Sequence, residues 1–148
     1  MRVLLQRVKS ASVSVQKQII GQIEQGYVLL VGIQDSDTVA ECQYLVRKIL
    51  GLRVFSDADD KMNLNLEQVN GAILSISQFT LYADTKKGNR PSFVRAGQPA
   101  HAQQMYQYFN QALAQAGVQV ETGEFGADMQ ISLINDGPVT IWFDTDKQ

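Results

Sequence analysis

Two short apolar runs constrain the fold of this chain more than any other feature. Gly26-Tyr27-Val28-Leu29-Leu30-Val31-Gly32-Ile33 is bracketed by glycines, and Ala72 to Tyr82 begins with apolar residues on both alternations, Ile73 on one side and Leu74 and Ile76 on the other. A strand with one face in water alternates apolar and polar residues; these two do not, so each reads as a strand covered on both faces, in the middle of a layered structure. Cover for them is at hand. Val39, Cys42, Leu45, Val46, Ile49 and Leu50 recur at helical spacing, with N-cap candidates in Gln34-Asp35-Ser36-Asp37 and a stop at Gly51. A second stripe of Ala102, Met105, Tyr106, Phe109, Ala112, Leu113 and Ala116 follows Pro99, which suits a first helical turn, and ends at Gly117.

The remaining segments read as strands and loops. Arg2 to Val15 closes on the period-two pattern Ala11-Ser12-Val13-Ser14-Val15, and Ile19 to Ile23 is a returning hairpin arm. Further strands are expected at Leu52 to Phe55, Val118 to Glu121, Met129 to Ile134 and Val139 to Phe143, the last two separated by Asn135-Asp136-Gly137-Pro138, whose composition suits a turn. Ser56 to Lys61 and Ala83 to Gln98 read as loops, and Met62 to Asn70 is ambiguous. The expected architecture is a single α/β domain over residues 1–148, in β/β/α layers with partial barrel-like sheets covered by two helices.

Composition narrows the chemistry by what it lacks. One cysteine, Cys42, excludes an internal disulfide and any multi-cysteine metal site, and its place on a helical apolar stripe makes it a core residue. The single histidine, His101, sits in the first turn of the second helix, where a surface position is expected before a catalytic one. No GxGxxG, Walker A loop, HExxH or G-x-S-x-G elbow is present, so neither a nucleotide cradle nor a serine triad is visible. No cofactor and no metal is expected. The start of the chain lacks the apolar run of a secretory signal, no run approaches a membrane span, and a lone thiol fits a cytoplasmic setting.

Charge is unevenly placed. The net charge of −2 conceals a start with Arg2, Arg7, Lys9 and Lys17 and no acid before Glu24, and a stretch with Lys86, Lys87, Arg90 and Arg95 and no acid between Asp84 and Glu121. Such segments are either solvated loops and strand edges or a local contact for a polyanion. Next to the second one, Ser77-Gln78-Phe79-Thr80-Leu81 turns polar, with Gln78 and Thr80 on one face; this is either a strand emerging into water or the mouth of a pocket. Gly137-Pro138 is either part of a plain β-turn or a cis bond that fixes a rigid loop.

Ser77-Gln78-Phe79-Thr80-Leu81 and Asn135-Asp136-Gly137-Pro138-Val139-Thr140 resemble the two signature motifs of the D-aminoacyl-tRNA deacylases. The opening Met1 to Val8, Gly88 to Phe93 and Phe125 to Met129 resemble the same family, and the likeness runs to about Phe143. The resemblance implies a homodimer that hydrolyses the ester of D-aminoacyl-tRNA and of mischarged glycyl-tRNA, meeting the aminoacylated 3′ end of tRNA and neither DNA nor membrane. It implies that Ser77, Gln78, Phe79 and Thr80 line the catalytic pocket, and that Gly137-Pro138 is cis and excludes L side chains from the partner subunit's site. Arg7, Asn135 and Thr140 would support that loop; Phe125, Gly126 and Met129 would hold the adenosine. Lys86, Lys87, Arg90 and Arg95 are the expected tRNA contacts. An aminoacyl ester is labile, so positioned water, backbone N–H groups and the ribose 2′-hydroxyl can replace a side-chain nucleophile. A noncatalytic RNA-binding module is the alternative.

Overall fold

In the computed structural model, which describes residues 1–147, both apolar runs become central strands of one sheet. The elements are β1 (Arg2–Val15), β2 (Gln18–Ile23), β3 (Gly26–Gly32), α1 (Val39–Leu50), β4 (Phe55–Ser56), β5 (Met62–Leu64), β6 (Ala72–Ser77), α2 (Pro99–Gln115), β7 (Val120–Thr122) and β8 (Gln130–Asp144), with short 3-10 turns at Glu67–Val69, Phe79–Tyr82 and Thr145–Lys147. The sheet has six strands in the order β2-β1-β3-β6-β7, with β8 on the other edge of β1. β3, β6 and β7 are parallel, and β1 runs antiparallel to β2, β3 and β8.

The double burial has a simple cause. On β3, Tyr27, Leu29 and Val31 point into a core shared with the helices, while Val28 points into a second core; on β6, Ile73 joins the first and Leu74 and Ile76 the second. The first core lies under α1 and α2 and takes Cys42, Leu45, Ile49, Met105, Phe109 and Leu113. The second is enclosed by the sheet itself, which curls until β2 meets β6 and β7: a Cβ on Gly21 would lie 3.1 Å from the Thr122 carbonyl and 3.4 Å from Leu74. This is the layered, barrel-like arrangement of sheets under two helices that the sequence implies. At the start of β3 the sheet admits only glycine. A Cβ on Gly26 would come within 1.8 Å of the Ala72 carbonyl oxygen.

β1 serves both cores by changing face. Met1, Val3 and Leu5 pack in the first and Val8, Ala11 and Val13 in the second. The change falls where its pairing with β8 shifts register, between Gln6 and Ser10, as expected when a bulge shifts the two-residue alternation.

Several expectations are corrected. α1 is capped by Thr38, not by Gln34 to Asp37: the Thr38 hydroxyl accepts from Ala40 N–H at 3.2 Å, and Glu41 accepts from Thr38 N–H at 2.7 Å. Leu52 to Phe55 yields only the two-residue β4, whose pairing with β5 begins at Phe55; Arg53 meets the same segment through its side chain, which donates to the Asn63 carbonyl. β6 ends at Ser77 and Phe79–Tyr82 is a 3-10 turn. Asn135 to Pro138 is not a chain-reversing turn. Both halves of β8 pair with the same strand in the same direction, so Asp136 to Val139 bulge out opposite the single residue Arg7.

Candidate active site

A cavity of about 410 Å³ opens at the carboxyl ends of the parallel strands β3 and β6, where ligands of such sheets characteristically sit. Val31, Ile33, Ile76, Met129 and Ile131 form its apolar floor, Ser77, Gln78 and Phe79 one rim, and Phe125, Gly126 and Ala127 another. Gly97, Pro99 and Ala102, at the start of α2, close the third side. The volume falls within the range of about 300–1,000 Å³ for small-molecule sites.

The break of β6 at Ser77 builds the rim. Gln78 N–H still donates to the Val31 carbonyl at 2.7 Å, but the chain then tightens into the 3-10 turn. Among the described residues, no carbonyl accepts from the N–H of Phe79 or Thr80. Unsatisfied donors are usual in the first turn of a helix; one of the two belongs to Phe79, a residue of the cavity lining. Phe79 remains 58% exposed and meets Phe93 of the basic loop edge to face, with ring centroids 5.0 Å apart. An exposed aromatic ring at a pocket rim, backed by a half-buried one, offers a surface on which a planar ring can stack.

Thr80 is exposed and is not part of the cavity lining. Its hydroxyl accepts from the Gln78 side-chain amide, a donor and not a base. Cys42 cannot serve as a nucleophile either: burial raises its thiol pKa to about 11. His101 is half-buried rather than on the surface, its Nε2 3.0 Å from the Asp37 carbonyl, and it too is absent from the lining.

The second signature segment is built separately. Gly137-Pro138 is cis. Arg7, 8% exposed, donates to the Asp136 carbonyl at 3.0 Å and to the Val54 carbonyl, with the Asp136 carboxylate 3.5 Å away. Asn135 bridges the bulge, accepting from Val139 N–H at 3.1 Å and donating to the Thr140 hydroxyl at 2.9 Å. Gly137 has φ +125, a region that disfavours L side chains, and a Cβ there would lie 2.9 Å from the Arg7 guanidinium. No residue of this bulge lines the cavity of its own chain.

The basic residues divide. Arg2 is spent internally, 3.2 Å from Asp144 and stacked over Tyr82, and Arg7 is buried under the bulge. Lys86, Lys87 and Arg90 are exposed on the loop between the cavity rim and α2, and Arg95 lies 3.7 Å from Asp146. Sequence reasoning missed the walls given by β3 and the start of α2. The sequence signal was partial: two doubly buried runs mark central strands, but that they lie side by side in parallel, with a pocket at their carboxyl ends, comes from the fold.

The fold and cavity define a small α/β ligand-binding domain, and comparison places it more closely. A solved structure titled "c-Myc DNA Unwinding Element Binding Protein" superposes with TM-score 0.91 at 39% identity, covering 98% of this chain and 99% of the other. A second, described as a structural analysis of a probable eukaryotic D-amino acid tRNA deacylase, has TM-score 0.83 at 18% identity over 96% of this chain and 97% of the other. The family model for D-Tyr-tRNA(Tyr) deacylase matches residues 4–144. The chain belongs to the D-Tyr-tRNA(Tyr) deacylase family. It is accordingly a D-aminoacyl-tRNA deacylase, a hydrolase that edits D-amino acids from tRNA.

Proposed function

We propose that the cavity takes the aminoacyl-adenosine end of tRNA and hydrolyses the ester of a D-amino acid or of glycine, with L residues excluded by the Gly137-Pro138 loop of a partner subunit. The observation that carries this reading is the meeting of Ser77, Gln78 and Phe79 with Phe125, Gly126 and Met129 around one cavity, beside exposed cations. Phe125, Gly126 and Met129 hold the adenosine. Water attacks the ester carbonyl carbon, and the oxyanion that forms faces the free N–H groups of Phe79 and Thr80. As the acyl C–O bond breaks, the ribose oxygen takes a proton through the neighbouring 2′-hydroxyl, releasing free amino acid and tRNA. No protein side chain is required as nucleophile.

That the loop serves a second copy is what the family resemblance implies, and its absence from the cavity lining of its own chain supports this reading. Ile134 and Trp142, 57% and 46% exposed, flank it on β8 and give a homodimer apolar surface to cover. A fixed wall rejects the L configuration by clash, whereas shape discrimination by attraction is worth only about 1–3 kcal/mol per methylene. Glycine, with no side chain to meet the wall, is therefore cleaved as well. Lys86, Lys87, Arg90 and Arg95 face the phosphates of the acceptor end.

The test is deacylation of D-Tyr-tRNA, Gly-tRNA and L-Tyr-tRNA. Rapid release from the first two and none from the third is expected, and a D substrate left intact overturns the reading. Excess duplex DNA, included because of one relative's name, is expected to leave the D-Tyr-tRNA rate unaltered; competition would bring DNA to the same surface. Thr80→Ala is expected to retain at least about a tenth of the activity, since loss of one hydrogen bond costs about 0.5–1.5 kcal/mol. Abolition of turnover would instead make Thr80 the nucleophile.

A further inference from the structure

A second cavity, of about 310 Å³, continues the first along α2 and shares Phe125 with it. Its α2 wall is formed by Gln103, Tyr106, Gln107, Asn110 and Gln111, at helical spacing that puts them on one face, and its far wall by Thr122 at the end of β7 and Gly123 just beyond it. Ala102 lines the first cavity and Gln111 the second. At a rise of 1.5 Å per residue the two together make a track of ~13 Å, several times one stacked base step of about 3.4 Å.

The lining chemistry selects the occupant. No side chain around this cavity carries a charge, so it is not built for a phosphate. Gln103, Gln107 and Gln111 are exposed amides, each able to donate and accept. Asn110 Oδ1 is a buried acceptor without a partner, and the Tyr106 hydroxyl is committed to the Ser75 carbonyl at 2.7 Å. A neutral wall of amides, with an aromatic ring at the junction, suits the edge and face of a nucleobase.

We propose that this cavity is a subsite for the nucleotide that precedes the terminal adenosine of tRNA. The inference rests on the adenosine occupying the first cavity. Its base would enter beside Phe125 and exchange hydrogen bonds with Gln107 and Gln111, while its phosphate stays outside toward solvent. The enzyme would then read the end of tRNA over two nucleotides, using neutral contacts in addition to the basic loop.

The experiment compares D-tyrosyl esters of adenosine and of the dinucleotide CpA. For the wild-type enzyme KM is expected to be about tenfold lower for the dinucleotide, the equivalent of one or two net hydrogen bonds. In the double variant Gln107→Ala/Gln111→Ala that ratio should fall to near one. Both positions are exposed on a helix and alanine favours helix, so folding is not at risk, and a melting curve verifies it. Equal KM for the two wild-type substrates, or an undiminished ratio in the variant, overturns the subsite. Failure to hydrolyse either ester or D-Tyr-tRNA overturns instead the deacylase reading beneath it.

Discussion

Gly137→Ala is expected to slow D-Tyr-tRNA deacylation by about a hundredfold while the protein remains folded. Gly137 has φ +125, and an added Cβ would lie 2.9 Å from both the Arg7 guanidinium and the Val139 side chain. Neither neighbour yields easily: Arg7 is held by the carbonyls of Asp136 and Val54, and Val139 N–H by Asn135. The bulge must therefore move. A displacement of about 1 Å in a positioning element costs roughly a hundredfold in rate. Single-turnover deacylation measures it, and urea denaturation shows whether the loss is one of folding. An unchanged rate in a folded protein would remove the Gly137-Pro138 loop from the active site.

Asp37→Asn is expected to cost about 3–5 kcal/mol of stability, the usual consequence of removing one partner of a buried ion pair. The Met1 ammonium and the Asp37 carboxylate are paired with side chains 0% and 2% exposed, and Asp37 also accepts from Gln34 N–H at 2.8 Å. Asparagine keeps the shape and loses the charge, leaving the ammonium with the Thr145 hydroxyl at 2.5 Å as its remaining side-chain partner. The effect should reach the cavity, because the Asp37 carbonyl receives His101 at the start of α2 and Asp35 accepts from Gln98 N–H at 2.7 Å. Denaturant midpoints at neutral pH measure the loss. A change below about 1 kcal/mol, the level of an exposed pair, would show that the ammonium finds an equal partner elsewhere.

The helices and central strands were legible because each stripe reports one environment: Cys42, Leu45 and Ile49 face one core, and so do Met105, Phe109 and Leu113. What was not legible depends on contacts between segments distant in sequence. Asp37 has the composition of an N-cap, but a buried ammonium takes its carboxylate and Thr38 caps α1 in its place. Asn-Asp-Gly-Pro has the composition of a turn, yet β1 pairs with the chain on both sides of it and turns it into a bulge. In the site, Ser77 to Phe79 and Phe125 to Met129 carried motifs, whereas Val31, Ile33 and Ala102 looked like ordinary core residues. Nothing local marks an apolar residue as a wall rather than filling. Only the parallel pairing of β3 with β6 makes that distinction.

The pairing of β1 with β8 also bears on how the chain acquires its structure. Arg2 stands opposite Asp144 and Ser14 opposite Gln130, so the longest ladder joins the first and last strands of this sheet in chain order. During translation β1 can find β2 and β3 early, but its outer edge stays unpaired until β8 emerges. Contacts this remote in sequence slow folding, because the chain between them must be ordered first. The bulge carrying Gly137-Pro138 can form only at that final docking, against an Arg7 already in place. The same docking brings Ile131 of β8 into the cavity floor, so the catalytic cavity and the loop proposed to guard it are completed in one step.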